Sequence, residues 1–287
     1  MMEGTLALTS RELKKWYRTP ILIFMTIFQP IIWLLLFGKA MNLSNIFAIP
    51  PDSLAGLPAS VAAELQRALQ AAVTTLFGTT DYFTFMTGGM LVIIVMFTSM
   101  FSGMSVVWDR RLGYLNKFLA APIPRSSILM SKVLASLAKG MIQALMLLLV
   151  AFAGGLKVGD AFGLLNLLGM ISVLLLLGVG LSALFVGIAT TITNHETVIA
   201  ITNLLNLPLM FASSALLPVK QMPAWLQTIA AFNPITYAVD TIRAFILSSA
   251  ANPINMVNLS MNYGILAVYT ALFVGVGTLI SNRGLHR

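Results

Sequence analysis

The groups that could do chemistry in this 287-residue chain are few: nine carboxylates, seventeen lysines and arginines, two histidines and no cysteine. Without thiols there is no disulfide, no thiolate zinc site and no iron–sulfur cluster. His195 and His286 are the only histidines, so no histidine-based metal site is expected. Hydrolysis would need a nucleophile beside its base, or a metal cluster. Neither Gly-x-Ser-x-Gly nor His-Glu-x-x-His occurs. A phosphate-cradling loop needs Gly-Lys before Ser or Thr, and Gly38-Lys39 is followed by Ala40. The carboxylates stand mostly at the ends of apolar runs, with no pair inside one. Catalysis by this chain alone is not expected.

What remains are charges placed for docking. The densest group is the polar island Trp108–Arg125, WDRRLGYLNKFLAAPIPR. Asp109 is expected to cap a helix running to about Ala121, which Pro122 and Pro124 end. Leu112, Leu115, Phe118 and Leu119 fall on one stripe, with Arg110, Arg111 and Lys117 off it and Arg125 following. Two readings stay open at this point: an anchor beside anionic lipid, or a helix pressed into a groove on a soluble partner.

A second constellation lies in Leu217–Leu247. Pro223 suits a first helical turn, followed by Trp225, Leu226 and Ile229. Asn233-Pro234 breaks that helix and opens another with Tyr237, Ile242 and Phe245 as apolar bulk. Asp240 and Arg243, spaced i, i+3, can pair on one face. A helical hairpin too apolar for a free loop results, either a surface flap or an external gate. The third feature is Lys139, the one ionisable residue well inside an apolar run. It either snorkels or bonds Gln143 one turn on, or it contacts cargo. Alone, without an intramembrane carboxylate, it is a poor proton relay.

The elements that must position these groups are membrane helices. Apolar residues make up 58% of the chain and charged residues 9%, against about 45–50% and about 25% in soluble domains. Spans of the required length, about 20 residues, are expected at about 20–40, 83–107, 128–153, 164–192, 197–217 and 260–281. Residues 161–194 carry no charge, more than one crossing needs, so tilt or an interfacial stretch is expected there. An interfacial helix within 1–19 precedes the first span. Thr9 and Glu12 read as its capping box, Leu6, Leu13 and Tyr17 as its apolar face, and Arg11, Lys14, Lys15 and Arg18 as its basic one. Residues 42–82 form an excursion with a surface helix over Ala59–Leu76.

The first span resembles a cleavable signal segment only in part, since structured residues precede it and Gln29-Pro30 interrupts it. A retained span is expected. With the N-terminus inside, eleven lysines and arginines fall on the cytoplasmic side and five outside. The positive-inside rule thus favours six spans with both termini cytoplasmic. It also accounts for the net charge of +8 without nucleic acid as a partner.

At the island and the Leu217–Leu247 stretch the chain resembles the ABC-2 family of ATP-binding-cassette permeases, of the daunorubicin-resistance type. DRRLGYLNKFLAAPIPRSSILMSKVL and LPVKQMPAWLQTIAAFNPITYAVDTIR carry the resemblance, with the basic N-terminal helix as a third match. Many members have Glu where Asp109 or Arg110 stands, and Thr where Tyr114 stands. The resemblance implies an all-α integral membrane fold: six transmembrane helices, an N-terminal interfacial helix, and an external helical hairpin at 218–259 before the last span.

It also implies a non-catalytic permease in a bacterial or archaeal cell membrane that binds no cofactor itself. That permease would pair with a second copy or a relative, and with two cytoplasmic ATPase subunits that handle ATP and Mg. The island, 108–127, would be the coupling helix, helped by the turn at His195 and Glu196. Phe24, Phe28, Trp33, Lys139, Asn203, Asn206 and Met210 would line the path by span membership. Pro223, Trp225, Asn233, Pro234, Tyr237, Asp240 and Arg243 would form the external gate. The cargo would be hydrophobic or amphiphilic; a polysaccharide or teichoic acid permease lies within the same class. A stand-alone ion-coupled carrier or a membrane scaffold is the alternative from a different class.

Overall fold

The computed structural model describes residues 2–40, 58–79, 81–122, 124–192, 194–250 and 253–284. Among the described residues every regular element is a helix. In chain order these are α1 (Met2–Tyr17), α2 (Pro20–Leu35, running into a π turn at Leu36–Ala40), α3 (Ala59–Phe77) and α4 (Tyr82–Arg111). Next come α5 (Tyr114–Ala120), α6 (Arg125–Ala153), α7 (Leu164–Thr191) and α8 (His195–Phe211). A short 3-10 turn precedes α9 (Ala224–Ala231), α10 (Pro234–Ile246) and α11 (Met256–Gly284). The helices α4, α6, α7 and α11 are long and apolar enough to cross a membrane, while α2 and α8 are apolar but shorter.

The centre of the bundle is α4. Its residues are buried without a break from Tyr82 to Met96, so it lacks the polar stripe of a surface helix, the mark of a core element. Around it pack α2, α6, α7, α8 and α10. Between α7 and α11 small residues let the backbones touch. A Cβ built on Gly277 would stand 2.3 Å from the Ala183 carbonyl oxygen, and one on Gly187 2.5 Å from that of Gly277. Close backbone approach of this kind is how membrane helices gain dispersion contact where no hydrophobic driving force exists. The uncharged run resolves into the single 28-residue helix α7. Its length of about 42 Å exceeds a hydrocarbon core of about 30 Å.

Two local expectations are corrected. Thr9 and Glu12 lie in the middle of α1, not at its start. Thr9 Oγ1 donates back to the Thr5 carbonyl at 2.8 Å, and Glu12 is taken up by an ion pair. Likewise Asp109 caps nothing, because α4 runs on through it to Arg111. The island is two helices, broken where Gly113 adopts φ +74°, a left-handed conformation open chiefly to glycine. Only Tyr114–Ala120 forms the second helix. The surface helix expected from Ala59 is present as α3, closed by Gly78 with its N–H on the Thr74 carbonyl at 2.8 Å. The prolines expected to punctuate the excursion at 50 and 51 lie outside the described residues.

Candidate functional site

Three elements meet at one end of the bundle: α1, the last turn of α4 and the first turns of α6. Lys132 on α6 donates through Nζ to Asp109 Oδ2 on α4 and to Glu12 Oε1 on α1, the latter at 2.8 Å. Arg11 adds a second cation, with Nη1 3.0 Å from Glu12 Oε1 and Nη2 3.4 Å from Asp109 Oδ1. Glu12 is 3% exposed, Asp109 1% and Lys132 3%, so three of these charges are out of water. Two cations and two carboxylates cancel, which is the condition under which buried charge is tolerated at all. Thr9 Oγ1 adds a long bond, 3.4 Å, to the Ser131 carbonyl. The helix α1 is thereby bound to the end of α4 and the start of α6.

This cluster carries α5. Leu115 and Phe118 turn inward and pack with Leu8 and Ile128. Arg11 stacks its guanidinium 4.7 Å from the Tyr114 ring centroid and 5.0 Å from that of Phe118, a cation–π contact. The expected stripe therefore splits: Leu115 and Phe118 face the chain's own interior, while Leu112 and Leu119 are exposed. With them on the free surface stand Arg111, Tyr114, Asn116, Lys117 and Pro122. Lys117 lies 5.5 Å from the Tyr114 ring and Arg111 5.9 Å from the Trp108 ring.

Arg110 points the other way, donating to the carbonyls of Thr190 and Ile192. It thus caps the C-terminal end of α7, where a helix leaves carbonyls unpaired. Asn194 Oδ1 accepts the Glu196 N–H at 2.9 Å and starts α8 with Glu196 exposed. Pro124 is half-buried, and only the backbone of Arg125 and His195 is described.

At the opposite end stand the two short helices α9 and α10, within the stretch expected to form the hairpin. Asn233 Oδ1 accepts the Ile235 N–H at 3.0 Å and Pro234 occupies the first turn, so the Asn-Pro start of α10 is as read. Arg243 is buried. It donates to the carbonyls of Phe85 and Ala215, both at 3.0 Å, and lies 3.4 Å from the Phe85 ring centroid. Burial lowers its pKa to about 10, with Asp240 and Tyr82 opposing the shift, so it remains charged at neutral pH. Asp240 Oδ1 stands 3.9 Å away. Asn233 Nδ2 holds the Leu209 and Ala212 carbonyls at 2.8 and 2.6 Å. These residues fasten the hairpin to the end of α8 and to α4. By contrast Pro223 and Trp225 are exposed, and Tyr237 is half-buried with its hydroxyl on the Ala231 carbonyl at 2.6 Å.

The expected path residues differ in exposure. Phe24 and Phe28 stack on each other at 4.8 Å and are exposed on α2, and Trp33 stacks on Phe37 at 5.1 Å. On α8, Asn203 is exposed while Asn206 and Met210 are buried. Asn206 Oδ1 has no hydrogen-bond partner among the described residues. Gln143 does not bond Lys139: it accepts from Thr98 Oγ1 and donates to Thr26 Oγ1 at 2.5 Å, tying α2, α4 and α6 together. The ion cluster itself was half visible beforehand. Lys132 stood only as a count toward orientation, yet Glu12 and Asp109 are two of the few carboxylates predicted on that side of the membrane.

The profile of the ABC-2 type transporter family matches residues 3–247. The chain belongs to the ABC-2 type transporter family. Among its relatives, the ycf38 transport permease of Porphyra purpurea is 30% identical over 239 residues, covering 83% of this chain and 72% of that one. The doxorubicin resistance ABC transporter permease DrrC of Mycobacterium tuberculosis is 30% identical over 149 residues, about half of each chain (51% and 52%). The daunorubicin resistance permease DrrB1 of Streptomyces coeruleorubidus is 23% identical over 219 residues, 74% of this chain and 76% of that one. As an ABC-2 protein with long apolar helices, the chain is a multi-pass membrane protein and a transport permease. The family match spans both the ion cluster and the hairpin as far as Leu247.

Proposed function

We propose that this ABC-2 permease is the membrane subunit of an ATP-driven exporter that moves a hydrophobic or amphiphilic cargo, a drug, lipid or similar molecule, out of the cytoplasm. A separate ATPase subunit binds ATP and Mg. Two permeases and two ATPases make the working unit, in a bacterial or archaeal cell membrane. Both termini are cytoplasmic, and six crossings arise when α2 with its π turn and α8 join the four long helices. The doxorubicin and daunorubicin resistance of two relatives supports the cargo class.

The observation that carries the reading is α5 with the break before it: the inner face of this short helix is fixed on a buried ion cluster, and the free surface presents Arg111 at the end of α4, Leu112 in the break, and Lys117 and Leu119 on α5. Closure of an ATPase dimer against that face would move α1, α4 and α6 together, because Glu12, Asp109 and Lys132 bind their ends. Copurification from native membranes is the test. A soluble ATPase with a phosphate-binding Gly-Lys-Ser/Thr loop should accompany the permease, and the pair in vesicles should translocate an amphiphile only with ATP. Translocation by the purified permease alone would overturn the reading.

A further inference from the structure

One side of α6 carries a polar stripe, Lys132, Ser136, Lys139 and Gln143, at the i, i+4, i+7, i+11 spacing of a single helical face. Three of the four are satisfied within the chain. Lys132 holds Glu12 and Asp109. Ser136 donates to the Thr98 carbonyl at 3.3 Å and accepts from Ser182 at 2.9 Å. Gln143 bridges Thr26 and Thr98.

Lys139 is the exception, half-buried and without a hydrogen bond or ion pair among the described residues. The carboxylates at the end of this stripe are Glu12 and Asp109. Both are already engaged, by Lys132 and Arg11. The cluster of Arg11, Lys132, Glu12 and Asp109 is neutral within itself, which leaves the charge of Lys139 without a counterion among the described residues.

Depth makes this costly. At about 1.5 Å per residue the Lys139 Cα lies roughly 16 Å along α6 from Ile128, deeper than one lysine stem spans. Helical side chains lean toward the N-terminus of their helix, here the side of the ion cluster. A lone cation at such depth is expensive and marks a functional position. The other members of its stripe, Lys132, Ser136 and Gln143, are each occupied. No carboxylate among the described residues pairs with it.

We propose that Lys139 receives the acidic headgroup of the cargo, so that this permease handles amphiphiles bearing a phosphate or carboxylate. The apolar tail would lie along the exposed Ile142, Leu145, Met146 and Leu149 of the same helix. The assignment rests on the exporter reading and narrows its cargo to one charge class. A bound anionic phospholipid offers the same chemistry as cargo, and turnover tells the two apart.

The test uses the permease with its copurifying ATPase in phosphatidylcholine vesicles. Its probes are fluorescent phosphatidic acid, fluorescent phosphatidylcholine and a fluorescent alkyltrimethylammonium. Wild type should bind the phosphatidic acid probe about 10- to 100-fold more tightly than Lys139→Met, the range for a hydrogen bond to a charged group. Lys139→Arg should retain most of that affinity, which separates lost charge from lost fold. ATP should move the phosphatidic acid probe, and Lys139→Met should slow that probe and not the others.

Equal binding by wild type and Lys139→Met, or preference for the ammonium probe, would overturn the proposal. So would Lys139-dependent binding of phosphatidic acid while ATP moves only the phosphatidylcholine or ammonium probe, since the site would then hold a resident lipid. If ATP moves no probe of any charge, the exporter reading itself falls, and this assignment with it.

Discussion

Lys132 shows how one side chain can decide whether a cluster stands. It donates to two buried carboxylates on two different helices, so its removal leaves both short of a partner. Breaking a buried ion pair by deleting one member costs about 3–5 kcal/mol, and Lys132→Met should lower the thermal unfolding midpoint of the purified permease accordingly. Glu12→Gln alone should also destabilise. The double variant Glu12→Gln/Lys132→Met should be better than the sum, because it leaves Arg11 and Asp109 as a neutral pair 3.4 Å apart. Strict additivity in that double-mutant cycle would mean the charges do not interact energetically. Arg243 supports an independent prediction. Its guanidinium serves two carbonyls and stacks on Phe85 at once, a planar task that lysine cannot perform. Arg243→Lys should therefore loosen the α9–α10 hairpin almost as much as Arg243→Met, read as faster proteolysis or deuterium uptake in residues 224–246, with α5 unaffected.

At the scale of elements, α5 has two faces with different jobs. Leu112→Asp, in the break before α5, or Leu119→Asp, on its exposed side, changes only exposed residues, and should leave folding within about 0.5 kcal/mol of wild type. The same changes should reduce ATP-stimulated transport, measured against the ATPase activity of the complex. Leu115→Asp instead buries a carboxylate beside Leu8 and Ile128 and should fail at the level of folding or expression. Equal coupling in wild type and Leu112→Asp/Leu119→Asp would remove the docking role of that face. The residues of this helix were legible in sequence, as were the Asn233-Pro234 start of α10 and the Asp240–Arg243 spacing, because turn chemistry and helical periodicity are local. The orientation of α5 was not. Gly113 resets the helical phase by a left-handed residue, so a stripe counted through it mixes two faces. Nor could the pairing of Glu12 with Lys132, 120 residues apart, be read from any periodicity. It is a product of the bundle's packing, and only the scarcity of carboxylates pointed toward it.

For the molecule as a whole, what matters is which surfaces one chain leaves for another. Exposed apolar residues mean little on a bilayer protein, since lipid covers them as well as a neighbour does. Exposed amides are different. Gln29 on α2 and Asn203 on α8 are both exposed, among Phe24, Phe28, Leu204 and Leu207. An unpartnered amide in hydrocarbon is unfavourable, whereas across a subunit boundary it finds a partner. On α11, Val268 and Leu272 are exposed with no such group beside them on their face, as expected of a helix that meets lipid. We infer that the second permease of the proposed unit packs against α2 and α8, as the ABC-2 resemblance implies for the first and fifth spans, and that a self-paired permease would do so in an isologous contact. The absence of native cysteine makes this directly measurable in membranes with a short bis-maleimide. Phe28→Cys and Leu204→Cys should give a covalent dimer, and Val268→Cys should not. Crosslinking from Val268→Cys alone would move the interface to α11 and take α2 and α8 out of the shared path.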